Sequence, residues 1–164
     1  MKKKSVFKNK PMTRGLSFGI TSAVITTLGM IVGLESAIES KFVIIAGILS
    51  ISIADAMSDA FGIHISEEAS GTKKELWTAS IYAFLSKFWF ALLFIVPFTL
   101  LNIQNAVIAS IILGLSIITI YTFMIAKKQN KSRFKAILEH LAIALIVIII
   151  THFVGDLIRI FIQV

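Results

Sequence analysis

Hydrophobic positions along this chain fall into five long blocks, at about residues 15–37, 42–65, 76–101, 103–126 and 137–162, with polar positions concentrated in the short stretches between them. A helix crossing a bilayer core needs about 20 predominantly apolar residues, and every block reaches that length. The connections, at residues 35–41, 66–75, 101–105 and 127–135, are too short to hold a folded unit of their own. The pattern predicts an all-α integral membrane protein of five transmembrane helices, one domain over residues 1–164 with a basic tail at 1–14. No stretch repeats another, and five helices do not divide into two equal inverted halves.

Composition strengthens this reading. Hydrophobic residues fill 57% of the 164 positions and charged residues 15%, and the mean hydropathy is +0.90. A soluble domain of this length has too much surface for its volume to bury so large an apolar share. Lipid is therefore the expected solvent for most of the chain. The absence of cysteine excludes disulfides, zinc–thiolate sites and thiol nucleophiles.

The net charge of +7 would suggest nucleic acid in a soluble protein. Here the positive residues cluster at helix ends, where they set topology and meet anionic headgroups, so no nucleic-acid partner is expected. Thirteen of the sixteen Lys and Arg residues fall in the N-terminal tail (Lys2, Lys3, Lys4, Lys8, Lys10, Arg14), the second connection (Lys73, Lys74) and the fourth (Lys127, Lys128, Lys131, Arg133, Lys135). These three segments share one side of a five-helix topology. The positive-inside rule makes that side cytoplasmic, with the N-terminus inside and the C-terminus extracytoplasmic. A prokaryotic cell membrane is the expected location. The tail has the charge of a signal-peptide n-region, but the block after it is too long for an h-region and lacks a small-residue cleavage site, so a retained first helix is expected.

Two small-residue motifs, Gly15-xxx-Gly19 and Gly29-xxx-Gly33, lie on one stripe of the first helix. Such stripes let helix backbones approach closely. The partner is either another helix of this chain or a second copy in a homodimer.

Function is sought among ionisable residues within the blocks, because each costs about 2.5–3.5 kcal/mol near the bilayer centre and persists only with partners, water or a task. Asp55 and Asp59 are four residues apart, about 40° around a helix, and Ser52, Gly62 and Ser66 extend their stripe. Two carboxylates so placed repel unless they share a proton or a cation, and with hydroxyls they offer hard oxygen ligands to a divalent ion. The alternative is a structural pair of aspartates holding helices together. His64, Glu67 and Glu68, with Glu75, follow at the cytoplasmic mouth, where an imidazole beside carboxylates suits capture of Fe²⁺, Mn²⁺ or Zn²⁺. A solvated helix end beside Lys73 and Lys74 is the competing reading. His152 and Asp156 repeat the four-residue spacing in the last helix and suggest a proton path or exit site, unless Asp156 simply pairs with Arg159. Lys87, in the middle of the third block, is the natural charge partner for Asp55.

The first helix, RGLSFGITSAVITTLGMIVGL, and the segment ADAMSDAFGIHISEEA resemble the vacuolar iron transporter family, and the closing GDLIR is similar too. The resemblance implies five transmembrane helices, a cytoplasmic N-terminus, dimeric assembly and export of Fe²⁺ or Mn²⁺ from the cytosol in exchange for protons. Three departures stand out. Phe18-Gly19 replaces the family's Asp-Gly, Asp59 falls where a methionine is expected, and Gly62-Ile63-His64 replaces Gly-Glu-Tyr. The glutamate-rich cytoplasmic region of plant and yeast members shrinks to about ten residues, retaining Glu67, Glu68 and Glu75. A carboxylate in place of a thioether at position 59 shifts preference toward harder ions.

The leading expectation is a proton-coupled divalent-cation transporter that carries metal ions as substrate and holds no resident cofactor. A non-transporting scaffold or sensor of the same fold is the alternative. An enzyme is not expected. Phospholipid-forming phosphotransferases share Asp-xxx-Asp but need upstream aspartates and a glycine where this chain has Ile51; intramembrane aspartyl proteases need Gly-x-Gly-Asp, and three histidines are too few for a membrane di-iron oxygenase.

Overall fold

The computed structural model describes residues 10–68 and 72–162, and among them it is helical with no strand. The elements are α1 (Lys10–Ile38), α2 (Lys41–Glu68), α3 (Lys73–Leu92), α4 (Ile95–Leu100), α5 (Ile103–Lys128) and α6 (Arg133–Ile162). Five spans are long and apolar enough to cross a membrane, α3 and α4 together making the third. The tail predicted at 1–14 lies outside the described residues up to position 9, as do residues 69–71 of the second connection.

Local chemistry explains the boundaries. Pro11 sits in the first turn of α1, where a missing N–H is harmless because that turn's donors have no intrahelical acceptor. Pro97 acts differently. The 76–101 block reads as one apolar run, yet its helix is interrupted at Leu93–Phe94, because Pro97 has no N–H to give the Leu93 carbonyl and its ring crowds that position. Thr72 caps α3 through a capping box with Glu75: Glu75 N donates to Thr72 Oγ1 (3.4 Å), and Thr72 N donates to Glu75 Oε2 (3.1 Å). The Glu75 carboxylate therefore serves the helix end. Asn102 caps α5 by accepting from Asn105 N at 3.0 Å. At the other end of α5, Asn130 takes the left-handed conformation (φ 53°) and Lys131 N donates to Ala126 O. That is the Schellman stop, one of the few helix ends at which asparagine is favoured.

The chain divides into two packed units that share α1 and α2. One comprises 10–23 and 49–93 of the described residues, the other 24–48 and 94–162. In the first unit, Gly15 and Gly19 lie against α3 so closely that an added Cβ would overlap the backbone of Ala79 and of Ala83. Ala79 and Ala83 are fully buried there. In the second, Gly29 and Gly33 face Val147 and Thr151 of α6, and Gly155 of α6 packs on the Gly33 carbonyl and Ser36. The glycine stripe is thus filled by helices of the same chain. Val24, Leu28, Ile31, Ile44, Phe94 and Phe98 anchor the apolar core of the second unit.

More large apolar side chains are exposed than buried, and α6 buries the smallest share of its apolar window, 11%. An apolar surface of this extent is matched to lipid rather than water.

Candidate cation site

Three helices of the first unit converge on the Lys87 ammonium. Lys87 is on α3, Asp55 and Asp59 are on α2, and Ser22 is on α1. Lys87 Nζ lies 2.5 Å from Asp55 Oδ2 and 2.5 Å from Asp59 Oδ2, and it donates to Ser22 Oγ at 2.9 Å. Ser22 in turn donates to Asp59 Oδ2 at 2.7 Å. The lysine side chain is 1% exposed, while Asp55 and Asp59 keep 30% and 19% of their side-chain surface open. Register explains the convergence: two carboxylates one turn apart present their oxygens to a common point, and the close approach of α1 to α3 at Gly15 and Gly19 brings Ser22 within reach of it.

The electrostatics are unbalanced. With all three groups ionised, one ammonium faces two carboxylates and the site carries one excess negative charge. Asp55 Oδ2 is buried and has no hydrogen-bond partner. Its short approach to Lys87 lies off the hydrogen-bonding direction, so the attraction there is Coulombic. A buried acceptor needs a partner of this kind, and here the ammonium supplies it. Of the three oxygens around Lys87 Nζ, the two carboxylate oxygens at 2.5 Å fall within oxygen–Ca²⁺ spacing, and the Ser22 hydroxyl at 2.9 Å lies beyond it.

The other residues nominated from sequence are distributed differently. Glu67 is buried in an ion pair with Arg14 of α1. His64 stacks edge-on against Trp77, ring centroids 4.8 Å apart, with Nδ1 3.5 Å from Ser80 Oγ. Glu68 is exposed at the end of α2. Among the described residues, no three His, Asp or Glu side chains gather as a metal-holding group, so His64, Glu67 and Glu68 do not join Asp55 and Asp59 in one cluster. Beyond Asp59 the predicted stripe runs out of neighbours: nothing lies within 4 Å of a Cβ built on Gly62, and Ser66 is exposed.

In the second unit, His152 Nδ1 lies 2.5 Å from Ser36 Oγ and its Nε2 3.5 Å from Asp156 Oδ2. Arg159 Nη2 donates to Asp156 Oδ1 at 3.1 Å. Asp156 therefore contacts both its sequence-nominated partners at once. Glu35 and His152 are the titratable groups lining a cavity of about 410 Å³ otherwise walled by apolar side chains such as Val107, Ile111 and Ile148.

Ser22, Arg14, Ser36 and Glu35 were not singled out by the sequence. Ser22 and Asp59 are 37 positions apart and Ser36 and His152 116 apart, and no local spacing encodes such pairings.

The chain matches no protein-family model, and no curated protein matches it.

Proposed function

We propose that this chain is a multi-pass membrane transporter that exports a divalent cation of the Fe²⁺ or Mn²⁺ kind from the cytosol in exchange for protons. The observation that carries the reading is the three-oxygen cage of Ser22, Asp55 and Asp59 around a buried ammonium. In this state Lys87 Nζ stands where the transported ion would sit. Arrival of a dication displaces the ammonium, and charge balance follows if Lys87 gives up its proton. Two carboxylates, one dication and a neutral amine sum to zero, where the resting site carries one negative charge. Loading one ion thus releases one proton, a direct physical link between metal and proton movement. The all-oxygen cage favours harder ions, Mn²⁺ among them. The chain Ser36–His152–Asp156–Arg159 is the proposed proton path of the second unit, with the N-terminus cytoplasmic, the C-terminus extracytoplasmic and the five spans in a prokaryotic cell membrane.

The test is transport in proteoliposomes. Asp59→Asn should abolish Mn²⁺ movement while leaving the protein folded, because Asp55 still balances Lys87. Transport at the parent rate would remove Asp59 from the mechanism.

A second reading has its own support: the ammonium is fully buried, and among the described residues no third His, Asp or Glu joins the two aspartates, as in a permanent ion triad tying α1, α2 and α3 together in a scaffold. The two readings separate on Lys87→Gln. A transporter variant with an emptied cage binds Mn²⁺ more tightly than the parent, whereas a scaffold variant is destabilised and indifferent to the ion.

A further inference from the structure

The first unit carries a second feature that the cation site does not use. A groove of about 400 Å³ runs between α2 and α3, walled by Met57 and Phe61 on one side and Trp77, Ile81, Phe84 and Leu85 on the other. Its polar lining is His64 and Ser80. The α3 residues of this wall recur at three- and four-residue steps, and continuing the same stripe toward the helix start reaches Lys73 and Lys74 one turn before Trp77. Both lysines are exposed, and neither has an ion-pair partner among the described residues. On α2, the stripe of Met57, Phe61 and His64 continues to Glu68, while Glu67 is turned to Arg14. By helical register, Lys73 and Lys74 extend the α3 wall of this groove and Glu68 its α2 wall, while the neighbouring Glu75 is engaged in the Thr72 capping box.

We infer that this groove binds one anionic phospholipid, its phosphodiester held at Lys73 and Lys74 and an acyl chain lying along the wall from Trp77 to Leu85. Charge complementarity selects the occupant. A zwitterionic lipid gains little from two unpaired ammonium groups, whereas a net negative headgroup gains from both. The acyl segment has about 12 Å of α3 to lie along, eight residues at the helical rise. His64 and Ser80 offer hydrogen-bonding groups just below the lysines, at the depth of a glycerol ester. The proposal is independent of cation transport.

The two tryptophans give the test. Trp89 stands about 18 Å further along α3 and is exposed, so Trp89→Phe isolates Trp77 and Trp77→Phe isolates Trp89. Each single-tryptophan protein is placed in neutral phosphatidylcholine vesicles and titrated with acyl-brominated phosphatidylglycerol or acyl-brominated phosphatidylcholine. Trp77 emission should reach half-quenching at about tenfold lower mole fraction of the brominated anionic lipid than of the neutral one. Lys73→Gln with Lys74→Gln should bring the two curves together, and Trp89 should show no such preference. Coincident curves for Trp77 in the parent protein, or an equal preference at Trp89, would overturn the proposal, leaving only general attraction of anionic lipid to a basic protein.

Discussion

At Lys87 an ammonium is held almost wholly out of solvent, and the structure shows what makes that tolerable: two carboxylates and a hydroxyl, one helix contributing each kind of group. Removing one member of a buried charge set costs about 3–5 kcal/mol when it strands the rest. Lys87→Gln strands two carboxylates a few ångströms apart and should lose stability of that order in metal-free detergent solution. If the cage is a cation site, millimolar Mn²⁺ should restore the melting temperature, since a ligand bound only by the folded state stabilises it by mass action. Asp59→Asn leaves one carboxylate opposite one ammonium and should melt close to the parent protein, with no response to Mn²⁺. Thermal unfolding of the two variants with and without the ion checks both. The two aspartates and the lysine were legible in the sequence because charge within an apolar block has few explanations. Ser22 was not, since one hydroxyl in an apolar helix is ordinary until α3 is seen to lie against that turn. Glu67 and His64 were legible as polar groups but not as to partner: Arg14 and the Trp77 ring claim them across helices.

The glycines of the helices fall into two kinds. Gly19 has the Ala83 carbonyl and the Ser86 hydroxyl where a Cβ would go, so Gly19→Val should force α1 away from α3 and destabilise by about 1–3 kcal/mol, the usual effect of overpacking. Gly62 has nothing within 4 Å of that point. Gly62→Ala should stabilise α2 by up to about 1 kcal/mol, from helix propensity alone. Chemical denaturation in detergent resolves the pair, and opposite signs are expected. Sequence periodicity placed the four glycines on one stripe but could not divide it between α3 and α6, because spacing specifies a face and not the neighbour that fills it. Likewise the helix blocks were readable from hydropathy to within a few residues, while the interruption at Leu93–Phe94 was hidden in an unbroken apolar run. There the covalent limits of Pro97 outweigh hydrophobic continuity.

Over the whole molecule, five spans long and apolar enough for a bilayer and a surface dominated by exposed apolar side chains make lipid the natural solvent. The proposed orientation, with the N-terminus cytoplasmic, rests on the charge bias. Since the chain has no cysteine, Glu39→Cys in the α1–α2 connection and Lys131→Cys in the α5–α6 connection each introduce a single thiol. In intact cells an impermeant maleimide should label residue 39 from outside and leave residue 131 unlabelled until the membrane is opened; the reverse pattern would invert the topology. Helix number and length were legible because each apolar block is long enough to span a bilayer, whereas the cage around Lys87 depends on contacts between helices far apart in sequence. The cage is tested most directly by calorimetric titration of the detergent-solubilised protein with Mn²⁺ in buffers of different ionisation enthalpy, which counts ions bound and protons released together. The site described above predicts one ion bound and about one proton released per chain by charge balance, both lost in Asp59→Asn. Absence of any binding heat across those buffers, or binding unchanged in Asp59→Asn, would contradict it.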